Sequence, residues 1–202
     1  MPISQKKKKI IIYGGAFSPP HLGHATVAES AVRLFPCDEL WLMPTANRRD
    51  KTIQAEKKHR LAMLARMKNE LFSELPLPVK ISRIECDQKR LTTTYETLRQ
   101  LKKHYPRYSF YLLIGSDIVG DIEKKWVCGK KLFKTAHFVI SKRHPYPVPR
   151  KLPPQSTVLQ KESRSLDFSS TFIRNLIKNG HSGVPYITPR VARYIKKHKL
   201  YR

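Results

Sequence analysis

Cysteine is scarce in this 202-residue chain: Cys37, Cys86 and Cys128 lie far apart, odd in number and with no Cys-x-x-Cys spacing. Neither a disulfide framework nor a zinc site is expected, and a reducing, cytoplasmic setting fits. No apolar run approaches the ~18 residues that a membrane span needs. The four apolar residues after the lysines at 6–9 run straight into Gly14-Gly15, so they read as a first strand and not as a signal-peptide core. No internal repeat is visible. The phosphate-binding signatures G-x-G-x-x-G and Gly-Lys-Ser/Thr are both missing, which excludes the dinucleotide fingerprint and the Walker loop. No Ser-His-Asp constellation or nucleophile–base pair stands out.

Acid is short as well. Fifteen Asp and Glu stand against forty Lys and Arg, a net charge of +25. Such a balance favours anionic partners and supports non-specific attraction to nucleic acid. The basic clusters, among them those at 48–51, 57–60, 102–103, 142–143 and 196–199, are scattered and form no single stripe or tail. Nucleic-acid binding is therefore expected to be non-specific at most. A non-enzymatic, basic nucleic-acid-binding module stays open as a rival class.

The length suits one domain over residues 1–202. Strand-like and helix-like segments alternate along it. Ile10–Tyr13, Glu39–Met43, Phe110–Ile114 and Ala136–Ile140 read as buried strands, and Val79, Ile81 and Ile84 as a short one. Ala25 to Leu34 reads as a helix, as do the segments carrying Leu61, Leu64, Ala65 and Leu71, then Tyr95, Leu98 and Leu101. Thr188-Pro189 opens a last helix with a cap residue and proline at its first position. Five prolines between His144 and Pro154 exclude regular helix or central strand there and predict a loop or arm. This β-α-β alternation predicts an α/β fold: a Rossmann-like, doubly wound, mainly parallel sheet with helices on both faces. Sites in such a sheet lie at the C-terminal ends of strands.

One such strand end carries the densest motif, Gly14-Gly15-Ala16-Phe17-Ser18-Pro19-Pro20-His21-Leu22-Gly23-His24. A buried strand runs into a glycine turn and then a helix start, where free N–H groups and the helix dipole favour an anion. His21 and His24, three apart, share a face of the first turn, and Gly23 leaves room for a ligand near the backbone. A second helix start, Phe168-Ser169-Ser170-Thr171-Phe172-Ile173-Arg174, sets hydroxyls, free N–H groups and Arg174 together as a second phosphate cradle. Two cradles and paired histidines suit attack on the α-phosphorus of a triphosphate. Such transfer relies on positioning and charge stabilisation. A phosphate acting as nucleophile is already ionised at pH 7, since its second pKa is about 6.

These motifs resemble the H-x-G-H nucleotidyltransferases, specifically the nicotinate- or nicotinamide-mononucleotide adenylyltransferases, over about residues 9–202. The family's Gly-Gly-x-Phe-x-Pro-x-His-x-Gly-His is matched in full, and its Ile-Ser-Ser-Thr-x-x-Arg with Phe168 in place of isoleucine. Thr94-Tyr95-Glu96-Thr97-Leu98, Gly115-Ser116-Asp117 with Trp126, the pair His59-Arg60 and the C-terminal Val191 to Tyr201 are also similar. The resemblance implies transfer of AMP from ATP to a pyridine mononucleotide with release of pyrophosphate. It implies that His21, His24 and Arg174 are catalytic. Gly14, Gly15, Ala16, Phe17, Gly23, Ser169, Ser170 and Thr171 would bind ATP. Lys51, Thr94, Tyr95, Asp117 and Trp126 would bind the mononucleotide, Trp126 by stacking on the pyridine ring and Asp117 through a ribose. The resemblance also implies that magnesium arrives with ATP, bridging its β- and γ-phosphates, and that no metal is bound by the protein itself. The choice between nicotinate and nicotinamide stays open, as do the related phosphopantetheine and CTP-dependent transfers. A homo-oligomer is compatible with all of these.

Overall fold

The computed structural model describes residues 6–46, 53–88, 92–159, 166 and 168–202. Its centre is a six-stranded, wholly parallel sheet: β1 (Lys8–Gly15), β2 (Glu39–Pro44), β3 (Val79–Ile81), β4 (Tyr108–Gly115), β5 (His137–Ser141) and β6 (Ser156–Val158), in the order β3-β2-β1-β4-β5-β6. Among the described residues seven helices accompany it: α1 (Leu22–Leu34), α2 (Lys57–Leu71), α3 (Thr94–His104), α4 (Ser116–Lys125), α5 (Gly129–Thr135), α6 (Ser170–Lys178) and α7 (Pro189–Lys197).

The apolar run of β1 is continuous because both of its faces are covered. Ile11 points into the layer built by α1, α2, α6 and α7, while Ile10 and Ile12 point into the layer of α3, α4 and α5. All three are buried, at 2% exposure or less. The fold class expected from the alternation is the one observed. β1 and β4 are neighbours from which the chain winds in opposite directions, so their carboxyl ends, Gly14-Gly15 and Ile114-Gly115, flank the switch point where such sheets bind ligands.

Three elements differ from the sequence expectation. Helices α4 and α5 and the edge strand β6 were not expected from the sequence; β6 is three residues long and pairs with Phe138 to Ile140 of β5. Ile84 lies in a turn beyond β3. On α2 the buried stripe is Arg60, Met63, Leu64 and Met67, whereas Leu71 is 39% exposed. The proline-rich segment at 144–154 is irregular, as its composition requires, and it connects β5 to β6 where a helix would otherwise cross.

Candidate active site

A cleft of about 800 Å³ opens at the switch point. It is walled by the glycine turn, the start of α1, the start of α6, the end of α4 and the loop after β5. The glycines divide the labour. A Cβ on Gly14 would meet nothing within 4 Å, so a ligand can approach the backbone there. A Cβ on Gly15 would press on the Phe17 ring at 3.3 Å. The space over Gly23 is taken by a side chain: its Cβ would sit 3.0 Å from His21 Nδ1. The expected ligand room therefore lies over Gly14, and Gly23 seats the His21 ring. Phe17 holds the left-handed conformation (φ 47) with its ring 1% exposed, edge-on to Tyr13 and against His24.

His21 and His24 cap the first turn of α1 reciprocally. His21 Nδ1 accepts the His24 amide at 3.3 Å, and His24 Nδ1 accepts the His21 amide at 3.2 Å. With both Nδ1 atoms acting as acceptors, the proton of each neutral ring sits on Nε2, which is then a donor. The rings lie 3.7 Å apart, centroid to centroid. Burial holds His21 well below the usual histidine range, helped by His24 and by the Arg143 charge. Burial and then Arg143 lower His24 to about 3. Both rings are neutral at pH 7 in the free protein.

The second cradle docks on the first. Ser169 caps α6, its hydroxyl accepting the Phe172 amide at 3.2 Å. Ser170 Oγ donates to the Pro19 carbonyl at 3.0 Å. Arg174 spans 2.8 Å to the Ser18 carbonyl through Nη1 and 2.9 Å to Thr171 Oγ1 through Nη2. A guanidinium has five N–H donors, so others stay available to a ligand. Phe168, at the family's isoleucine position, stands against the His21 ring at 5.3 Å. Tyr201 reaches the same turn from the chain's end, its hydroxyl 3.0 Å from Ser18 Oγ.

The residues expected on the acceptor side are less united. Thr94, in the first turn of α3, and Trp126, at the end of α4, both line the cleft. Tyr95 does not: its ring faces Lys131 and Arg99, at 5.3 and 6.0 Å. Asp117 lies behind the wall, Oδ2 paired with Arg143 Nη1 at 2.9 Å and Oδ1 buried with no hydrogen-bond partner among the described residues. A Cβ on Gly115 would collide with that Oδ1, so this glycine makes space for the carboxylate. Lys51 lies outside the described residues.

Sequence reasoning missed several lining residues. Arg143 follows β5 and sends positive potential onto both histidines. The rule that strand ends carry sites could have singled it out from the Lys142-Arg143 cluster. Glu85 accepts from Thr97 Oγ1 at 2.9 Å, and burial raises its carboxyl pKa. Thr45 Oγ1, Thr92 Oγ1 and Ser141 Oγ line the cleft as buried hydroxyls without a partner among the described residues. Unsatisfied buried groups of this kind are rare and mark places where a ligand or water completes the bonding. No three of His, Cys, Asp and Glu converge as a cation site among the described residues.

The cytidylyltransferase-like family model matches residues 12–176. A Lactiplantibacillus plantarum protein named "Probable nicotinate-nucleotide adenylyltransferase" is 35% identical, over 96% of this chain and 88% of its own length. One of the same name from Synechococcus sp. is 33% identical, over 97% and 98%. Among solved structures, the Plasmodium falciparum nicotinic acid mononucleotide adenylyltransferase complexed with NaAD superposes with a TM-score of 0.87 at 28% identity, covering 96% of this chain and 97% of that one. The same enzyme complexed with APC gives 0.82 at 27% identity. The motif, the switch-point cleft and these likenesses agree: the chain belongs to the cytidylyltransferase-like family and, within it, to the nicotinate-nucleotide adenylyltransferases.

Proposed function

We propose that this protein transfers AMP from ATP to nicotinate mononucleotide, giving the dinucleotide and pyrophosphate. The observation that carries the reading is the joining of the two cradles: Ser170 and Arg174 grip the carbonyls of Pro19 and Ser18 beside two histidines that present Nε2 donors. The near full-length match to nicotinate-nucleotide adenylyltransferases supports this acceptor over pantetheine- or CTP-dependent chemistry.

In this reading the triphosphate lies over Gly14, with its tail toward the start of α6. The mononucleotide phosphate attacks the α-phosphorus, the bond to the β-bridging oxygen breaks, and pyrophosphate leaves. The attacking phosphate is already ionised, so no base is required. His24 and His21 donate from Nε2 to oxygens on which negative charge grows, as fixed dipoles that need no reorganisation. Arg174, through the donors it does not spend on Ser18 and Thr171, and the backbone amides of Ser170 and Thr171 at the start of α6 hold the leaving group. Magnesium enters as part of the nucleotide. Trp126 and Thr94 receive the pyridine end. The reading also takes residues 1–202 as one domain acting in the cytoplasm, with nucleic acid bound at most non-specifically. No helix among the described residues is long and apolar enough to cross a membrane.

The test is pyrophosphate release with MgATP and, in separate reactions, nicotinate mononucleotide, nicotinamide mononucleotide and phosphopantetheine. Release with nicotinate mononucleotide is expected. Release with phosphopantetheine and neither pyridine mononucleotide overturns the acceptor.

A further inference from the structure

Arg60 is a cation at a position where α2 otherwise carries hydrophobes. With Met63, Leu64 and Met67 it completes an i, i+3, i+4, i+7 stripe facing the core, and it is 2% exposed. Arginine is almost never fully buried unpaired, because desolvating the ion costs several kcal/mol. Among the described residues no carboxylate lies within ion-pair reach of Arg60. Its titratable neighbours are Cys86, whose sulfur stands within hydrogen-bond reach of the guanidinium, and Tyr201. Both stay neutral at pH 7, since burial raises the Cys86 thiol and pushes the Tyr201 phenol up to about 12. Among the described residues the charge is therefore uncompensated, and Nε is a buried donor without a partner.

What the guanidinium does hold is the glycine turn. Nη1 donates to the Ala16 carbonyl at 2.9 Å. The Ala16–Phe17 peptide is trans, so its carbonyl and the Phe17 N–H point in opposite directions. Gripping the carbonyl from the core side aims that N–H away from the core. The Phe17 N–H has no backbone partner among the described residues, and Ala16 and Phe17 both line the cleft. Phe17 also carries a positive φ of 47, a conformation that a non-glycine residue keeps only where its surroundings over-determine it. Arg60 is one of those surroundings.

We propose that Arg60 is a positioning residue for nucleotide binding: from beneath the turn it sets the Ala16–Phe17 peptide plane and lends an unneutralised positive charge to the triphosphate above. The proposal rests on the reading that a triphosphate binds over the glycine turn. A purely structural arginine makes a different forecast. Replacing a buried cation that has no counter-ion by an apolar side chain of similar length removes the desolvation cost of the charge. Stability and function should then move apart in Arg60→Met.

Three variants, Arg60→Met, Arg60→Gln and Arg60→Lys, separate charge from hydrogen bond. Thermal melting, the Kd of a non-hydrolysable ATP analogue by calorimetry, and kcat with KM for pyrophosphate release are measured on each. Arg60→Met is expected to melt at or above the wild type, bind the analogue at least about 10-fold more weakly and turn over more slowly. Arg60→Lys, which keeps the charge, should recover affinity. Arg60→Gln, which keeps a donor, should recover kcat more than affinity. Wild-type affinity and turnover in Arg60→Met overturn the proposal, and so does a lower melting point with unchanged constants. If Arg60→Met does not fold, wild-type affinity in Arg60→Gln overturns it. If the wild type binds the analogue but releases no pyrophosphate, the adenylyl-transfer reading fails, and the affinity comparison still decides the role of Arg60.

Discussion

His24 Nδ1 accepts the amide of His21 at 3.2 Å while His21 Nδ1 accepts the amide of His24 at 3.3 Å. The exchange does two jobs at once. It gives the amides of both residues a side-chain acceptor at the start of α1, and it fixes the tautomer of both rings, placing the donor of each on Nε2. A capping arrangement thereby becomes a pair of oriented dipoles at the mouth of an anion site.

His24→Ala is expected to lower kcat by about 10²–10³-fold while the affinity for ATP changes little, because the lost donor acts on charge that develops during transfer. One half of the reciprocal cap goes as well, the bond from the His21 amide to His24 Nδ1, at about 1 kcal/mol of stability, while His21 remains the N-cap. Circular dichroism and melting check that the variant is folded before kcat and Kd are compared. Near-normal kcat in the folded variant would make His24 structural and end the mechanism given above.

Arg174→Ala should weaken ATP binding at least as much as it slows turnover. The guanidinium is placed to hold the triphosphate tail before and during reaction, and it also tethers α6 to Ser18. Calorimetric titration with an ATP analogue, beside steady-state kinetics, measures the split. A large kcat defect with wild-type affinity contradicts this assignment.

Acid should destabilise the fold through the same histidines. Both are held neutral in the folded chain, with His24 lowered to about 3, but both protonate near 6.5 once unfolded. The unfolded state therefore binds more protons below about pH 6.5. The histidines make no pH-dependent contribution above that pH. As pH falls toward 3, they cost stability at about 1.4 kcal/mol per pH unit for each histidine kept neutral. Urea denaturation of the wild type and of His24→Gln between pH 7 and 5 tests this, with a shallower decline expected in the variant.

Gly14→Ala and Gly23→Ala should fail differently. The first adds a methyl into open space, so stability should change by less than about 1 kcal/mol while ATP affinity drops. The second presses on the His21 ring at 3.0 Å, so turnover should fall with the displaced ring. Equal effects on Kd and kcat in both variants would contradict the division of labour between these glycines.

Binding to DNA or RNA should be sequence-independent and lost as salt rises from about 50 to 200 mM, since the attraction is that of scattered lysines and arginines to phosphates. Filter binding across that range measures it.

The α/β class, the four longer strands, both phosphate-cradle motifs and the irregular proline-rich arm were legible in the sequence because they rest on local signals: period, glycine, proline and cap residues within one stretch of chain. The histidine pair belongs with them, since an i, i+3 spacing at a helix start brings two rings together whatever the rest of the fold does. Tertiary structure alone decided the rest. It placed Ser170 and Arg174 on the carbonyls of Pro19 and Ser18, some 150 residues earlier. It turned Asp117 to Arg143, and Tyr95 out of the cleft wall. Arg60 shows why pattern reading stops there. Periodicity treats a charged residue as an exposed one, so the stripe appeared to run through Leu61 and Leu71, while the fold buried the cation beneath a turn whose carbonyl could receive it. Hydrophobic period reports how a segment partitions between water and core. Which polar group meets which depends on distances between segments, and those exist only once the sheet has brought β1, β4 and the helix starts together.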